Sequence, residues 1–295
     1  MVLAPFLITF REGLEAALII AIIVAYLIRI GRTDLRKYAW YGTGSAIILS
    51  AVLGALILIF FGNLSGVSAQ LFEGTAAILA TVVLTSMIFW MARNAKSIKG
   101  SLQEKIDVSI SRRHLIGITA VSFIAVFREG IETVLFLAAL LGSGIADTMT
   151  GFGAGMALTV IISFFLFKGT VKLPLDKFFK YTSVLLIVFA AGLFGYGIHE
   201  YIEAAEGMGY ETGFAGMEAY NINPANAANP LHEKGWLGSI LKSLVGYDGN
   251  PEVLRMMGYM SYWLFIGGFY ISVYNRPFFD RIFRMNGRRP AVVPE

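Results

Sequence analysis

Residues 6–18 read Phe6-Leu7-Ile8-Thr9-Phe10-Arg11-Glu12-Gly13-Leu14-Glu15-Ala16-Ala17-Leu18, and residues 123–135 repeat them as Phe123-Ile124-Ala125-Val126-Phe127-Arg128-Glu129-Gly130-Ile131-Glu132-Thr133-Val134-Leu135. Seven positions are identical: the two phenylalanines, the Arg-Glu-Gly triplet, the second glutamate and the closing leucine. Each string lies inside an apolar run long enough to cross the roughly 30 Å hydrocarbon layer of a bilayer. Each also carries three charges in the middle of that run, where ionised groups are costly. The pattern is that of membrane helices built around a repeated charged core.

Composition agrees. The chain has 295 residues, 56% hydrophobic and 15% charged, with a mean hydropathy of +0.67, too apolar for a water-soluble globule. It has no Cys and three His, which excludes disulfide frameworks, thiolate or Fe–S sites and imidazole-rich metal centres. Any metal must be held mainly by oxygen. The net charge of +4 belongs to the membrane topology and does not imply nucleic acid.

Apolar runs at 5–28, 38–61, 71–92, 114–141, 149–167, 180–201 and 257–273 predict seven transmembrane helices in an all-α integral membrane protein. The first has no basic start and no small-residue cleavage site after a short core, so it is read as a retained span and not a signal peptide. Lys and Arg gather in alternate connections. Segments 29–37, 93–113, 168–180 and the tail from Asn275 hold four, six, four and five, while 62–70 and 142–150 hold none. By the positive-inside rule the N-terminus is outside and the C-terminus inside, with Arg288 and Arg289 as a cytoplasmic anchor.

The second and fifth spans share an aromatic-Gly-x-Gly-x-Ala string, Tyr41 to Ala46 against Phe152 to Ala157. A three-helix unit is therefore used twice, and because three is odd the copies are inverted, as in transporters whose sites lie where equivalent helices meet. The chain reads as a single transmembrane domain over 1–295. A first three-helix repeat occupies 1–92 and a second, inverted one 114–205; an extracytoplasmic loop with an amphipathic helix follows at 206–254, then the seventh helix and basic tail at 255–295.

Within each motif the glutamates are three residues apart, so Glu12 and Glu15, and likewise Glu129 and Glu132, share a helix face and can converge on one ion. An ionised residue at a helix centre costs roughly 2.5 to 3.5 kcal/mol on insertion scales, and a merely structural use would hardly place this set twice. Arg11 and Arg128 each precede a carboxylate by four residues, close enough to pair with it and keep it ionised. Four carboxylates against two guanidinium groups leave a negative excess for a cation. Gly13 and Gly130 open the centre of each motif to a close neighbour. Buried salt bridges locking the two spans together are the competing reading.

These motifs resemble those of the oxidase-dependent iron transporter family, the fungal high-affinity iron permeases and their bacterial and archaeal relatives. The similarity covers most of the chain, including Phe72-Glu73-Gly74 opening the third span and His199-Glu200 closing the sixth. It implies a permease, not an enzyme, in the cytoplasmic membrane. It implies also that Glu12, Glu15, Glu129 and Glu132 ligate iron in transit, with Arg11 and Arg128 supporting them, and that iron, ferrous or ferric, is substrate and no cofactor is permanently bound.

Several secondary readings accompany this one. Glu73, Glu200 and Glu203, with His199 beside them, form a candidate outer receiving site whose mixed nitrogen and oxygen set suits a borderline divalent metal. From Glu200 to Glu252 eight acids face two lysines, which would concentrate cations at the mouth. Trp236, Leu237, Ile240, Leu241, Leu244 and Val245 fall on one stripe of an amphipathic helix expected in the outer interface; docking of an extracytoplasmic redox or iron-delivery partner there is the alternative. His232 and Glu233 are weak ligand candidates. The glycines at 42–44 and 151–155 suit helix contacts within a subunit or between copies in a homo-oligomer. No Gly-x-x-x-x-Gly-Lys string is present, so driving force comes from a gradient, the membrane potential or a partner. Transport of another metal, such as lead or manganese, is the first alternative. A membrane di-iron enzyme is the second, and it lacks Glu-x-x-His, since Ser111, Tyr196 and Asn229 precede His114, His199 and His232 by three.

Overall fold

The computed structural model describes residues 2–94, 98–111, 115–168, 175–226, 229–233 and 235–274. The expectations on His114 and on the basic tail with Arg288 and Arg289 lie outside the described residues. Within them the chain is helical: α1 (Leu3–Arg29), α2 (Arg36–Phe61), α3 (Val67–Asn94), α4 (Ile98–Ser111), α5 (Leu115–Leu140), α6 (Ile145–Phe167), α7 (Leu175–Gly207), the single turn α8 (Gly213–Gly216), α9 (Trp236–Val245) and α10 (Val253–Tyr274). One isolated antiparallel bridge, Glu218 to Glu252, is the extent of β-structure among these residues.

Every expected span lies on a helix, and four stretches are long and apolar enough to cross a membrane: Thr33–Phe61, Val67–Met91, Ile145–Phe167 and Thr182–Gly207. This is a membrane protein. α1 and α5 are at least as apolar on average as α3 and α7, and differ from them in carrying the charged motifs at their centres. Pro5 is tolerated in α1 because it sits in the first turn, where its missing N–H has no intrahelical partner to lose.

Segment 93–113 differs from the sequence reading, which left it as a basic connection. Residues 98–111 form α4, because Leu102 and Ile106, one turn apart, bury against a cluster with Ile23, Leu27 and Ile118. Tyr26 at the end of α1 pins α4 by donating to Asp107 Oδ1 at 2.5 Å.

α1 and α5 pack on each other at the centre, with α2 lying along α5 and α6 along α1. On the opposite side α3 packs against α5 and α7, and α10 against α7. The α3–α7 contact is close because it is made of small residues: Ala76, Ala77, Ala80, Ala190 and Ala191 are buried there, and Gly74 meets Gly197. α2 and α6 do the reverse, presenting Ile48, Ile59 and Ile161 outward as an exposed apolar surface.

The paired packing corrects the register of the repeat. Gly42 of α2 presses on Thr119, Ser122 and Phe123 of α5, while Gly151 of α6 presses on Val2, Pro5 and Phe6 of α1. Those two triplets are the same positions under the motif alignment. Gly42 therefore corresponds to Gly151, where the shared string had matched it with Gly153. The reason is steric: a Cβ on Gly151 would come 2.4 Å from the carbonyl oxygen of Val2, whereas Gly153 faces open space. The same register equates Ser50 with Thr159. Gly42, Gly151 and Gly155 all make their close contacts within the chain.

α9 forms over the residues the apolar stripe indicated and ends in a left-handed glycine cap. Gly246 at φ 73° returns its N–H to Lys242 O, and Tyr247 returns its own to Leu241 O. Trp236 and Ile240 of this helix stay exposed. The helix packs on α7 and touches α1, with Gly246 against Gly192, about 12 Å along α7 from Glu200 at 1.5 Å per residue.

Candidate functional site

The two motifs meet where α1 and α5 cross. One oxygen each from Glu12, Glu15 and Glu129 lies within 4.8 Å of the others, and all three residues are buried. Glu12 and Glu15 share a face of α1 by their spacing, and α5 brings Glu129 to that face from the second copy. Carboxylate oxygens so spaced could be bridged by one cation.

Arg11 is sealed beside them, its guanidinium paired with Glu12 and, one turn on, with Glu15. From α3, Met87 Sδ lies 3.5 Å from Arg11 Nη1. Arg128, the same residue of the second copy, stands differently. Its side chain is 40% exposed against 3% for Arg11, its Nε lies 3.4 Å from Glu129 and 3.2 Å from Glu132, and its guanidinium sits 4.9 Å over the ring of Trp90. Glu132 is thus drawn to Arg128 and lies outside the group of three. The intrahelical arginine pairs that the four-residue spacing indicated are both present.

Charge remains available. The Oε2 atoms of Glu12, Glu129 and Glu132 are buried and have no hydrogen-bond partner among the described residues. Buried oxygens left so are expensive unless a partner arrives. Beside them runs a cavity of about 720 Å³ between α2 and α6, floored by α1 and α5, which Glu12, Gly13, Glu129 and Gly130 line together with Ser50 and Thr159.

The residues expected at the outer end divide into two groups. Glu73 accepts a 2.5 Å hydrogen bond from Tyr196, with Gly142 packed so closely that a Cβ there would overlap both side chains. Glu200, buried, stands over Gly74 next to Glu73. His199 turns away from that pair: Nδ1 donates to Glu252 Oε1 at 2.6 Å and Nε2 lies 3.3 Å from Glu203, which also accepts from Gln70 at 2.9 Å. Burial opposes ionisation of Glu252, but the hydrogen bond and charge of His199, with a backbone hydrogen bond and the charge of Arg255, together outweigh it and hold this carboxyl below its ordinary range. Gln70 had no ligand signature in the sequence and Glu252 figured there only as one acid of the 200–252 stretch; Tyr196, one turn before Glu200, could have been read from helical spacing. Glu233 is engaged elsewhere, with Lys242 at 3.8 Å.

Three carboxylates and one guanidinium thus converge in the core of a helical membrane protein. Residues 2–274 match the iron permease FTR1 family model, and the chain belongs to that family. It is 39% identical over 255 residues to an uncharacterized protein of Archaeoglobus fulgidus, covering 86% of this chain and 89% of that one. It is 34% identical over 261 residues to the ferrous iron permease EfeU of Yersinia pestis, covering 88% and 89%. The EfeU of Escherichia coli O6:H1 is 33% identical over 261 residues, covering 88% and 91%. No solved structure matches the chain.

Proposed function

We propose that the protein is a multi-pass iron permease of the cytoplasmic membrane, importing iron through the carboxylates of α1 and α5. The observation that carries this reading is the meeting of Glu12 and Glu15 from one motif with Glu129 from the other inside 4.8 Å. Three carboxylates against the one sealed guanidinium of Arg11 leave two negative charges, which a divalent cation neutralises. Arg128 and Glu132 balance each other beside them. The names of the EfeU relatives favour ferrous iron as the substrate.

In this reading α1, α2, α3, α5, α6, α7 and α10 are the seven spans, with the N-terminus outside and two inverted three-helix repeats. Glu73 and Glu200, with Tyr196 between helices, receive the cation at the outer face, and His199, Glu203 and Glu252 form a second group beside them. The ion then passes to the motif carboxylates, and exchange of Arg11 and Arg128 between sealed and open positions accompanies its release inward. Neutral oxygens replace ligands only in part, so carboxylate loss is decisive.

The test is uptake of radioactive iron into proteoliposomes, with ascorbate to hold it ferrous and again as a ferric chelate, for wild type and the double variant Glu15→Gln, Glu129→Gln. Flux of the ferrous form, lost in the variant and resistant to excess manganese, is expected. Wild-type flux in a folded double variant would overturn the assignment.

A further inference from the structure

Both motif glycines pack against a hydroxyl from the other half of the protein. A Cβ on Gly130 of α5 would fall 2.0 Å from Ser50 Oγ of α2, and one on Gly13 of α1 would fall 2.8 Å from Thr159 Oγ1 of α6. In the register set by Gly42 and Gly151, Ser50 and Thr159 are the same position of the two copies. The two residues need not have been polar for packing, since alanine would leave the same room at 50 and valine nearly the same shape at 159.

The hydroxyls have capacity to spare. Ser50 is 9% exposed, and its Oγ is buried with no hydrogen-bond partner among the described residues. Thr159 is 5% exposed and spends its proton on Gly155 O at 2.9 Å, which leaves its oxygen lone pairs free. Both line the cavity that Glu12 and Glu129 line. A buried hydroxyl oxygen without a partner, lining the same cavity as residues whose carboxylate oxygens also lack partners, describes an oxygen set completed by something brought from outside the chain.

We propose that Ser50 and Thr159 supply neutral oxygen ligands to the divalent cation in transit, one on each side of the motif carboxylates. This rests on the permease reading. The swapped packing of α2 on α5 and α6 on α1 thereby serves the ion path: each motif is completed by a second helix from the other repeat. Hydroxyls add coordination without adding charge, so they set affinity and preference among divalent ions while the carboxylates set the charge balance.

Ferrous uptake is measured in proteoliposomes for wild type, Ser50→Ala, Thr159→Val and Ser50→Cys, with Glu12→Gln, Glu129→Gln alongside. The chain has no cysteine, so Ser50→Cys adds its only thiol. Expected are a rise in KM of about fivefold in each hydroxyl deletion, with unchanged melting, and inhibition of Ser50→Cys by cadmium at about tenfold lower concentration than wild type, because a soft thiolate favours that ion. Unchanged KM in Ser50→Ala and Thr159→Val, with unaltered cadmium inhibition of Ser50→Cys, would overturn the proposal. If flux survives Glu12→Gln, Glu129→Gln, the permease reading through these carboxylates fails. If that flux is lost while the hydroxyl variants match wild type, the hydroxyl assignment alone fails. Should Ser50→Cys not fold, the KM of Ser50→Ala decides.

Discussion

The guanidinium of Arg128 lies 4.9 Å over the ring of Trp90, in contrast to Arg11, which is sealed against Glu12 and Glu15. One residue of a repeated motif thus occupies two environments in one structure. Trp90→Leu should cost about 0.5 to 2 kcal/mol, the range of a cation–π contact. Arg11→Gln strips the partner from two buried carboxylates and should cost about 3 to 5 kcal/mol. Thermal unfolding in detergent should rank Arg11→Gln far below Trp90→Leu; equal melting would deny that the two arginines differ.

The glycines of α6 separate close packing from helix flexibility. A Cβ on Gly151 meets the backbone of Val2 and Phe6, while Gly153 has nothing within 4 Å. Gly151→Ala should destabilise by about 1 to 3 kcal/mol through overpacking. Gly153→Ala should be neutral or stabilising by up to about 1 kcal/mol, since alanine is the better helix former. The melting temperatures of the two variants check both the contact and the repeat register derived from it.

Where α5 ends against α3 and α7, Gly142 keeps room for Glu73 and Tyr196. Gly142→Ala should push Glu73 from its hydrogen bond with Tyr196 and raise the KM for ferrous iron several-fold, with maximal flux little changed, if the pair receives the ion. Tyr196→Phe should act in the same direction. An effect on maximal flux with KM unaltered would remove Glu73 from the approach route.

The His199–Glu252 bond should make part of the protein's stability sensitive to acid. Glu252 titrates below its unfolded value, so the stabilisation is complete at neutral pH and disappears as pH falls through that lowered value. Glu252→Gln should cost about 1 kcal/mol at neutral pH. Its melting curve should converge on wild type in acid, below the ordinary carboxylate range; a constant gap across that range would mean that the bond carries no linkage.

The helices that hold the expected spans, and the charged motifs on two of them, were legible because hydrophobic length and paired charges are local signals. The sequence also carried α9, whose stripe is explicit in Trp236 to Val245. It missed α4, since Leu102 and Ile106 look sparse among charges until Ile23 and Ile118 are set against them. The register of α2 against α6 was misread because the shared string tracks composition, whereas Gly42 and Gly151 are fixed by the backbone they touch. Nor could two motifs that share Arg-Glu-Gly announce that Arg11 is buried and Arg128 open, or that Glu252 reaches His199 from 53 residues away. Those depend on helices distant in the chain.

The central claim is that α1 and α5 hold one cation jointly. Equilibrium binding of ferrous iron, under anaerobic conditions in detergent, tests it most directly on wild type, Glu12→Gln and Glu129→Gln, with Glu252→Gln as a control outside the core. Loss of the same bound ion in both motif variants, with the control unaffected, is predicted. Two ions in wild type, one lost with each substitution, would mean that each motif binds separately and would contradict the account.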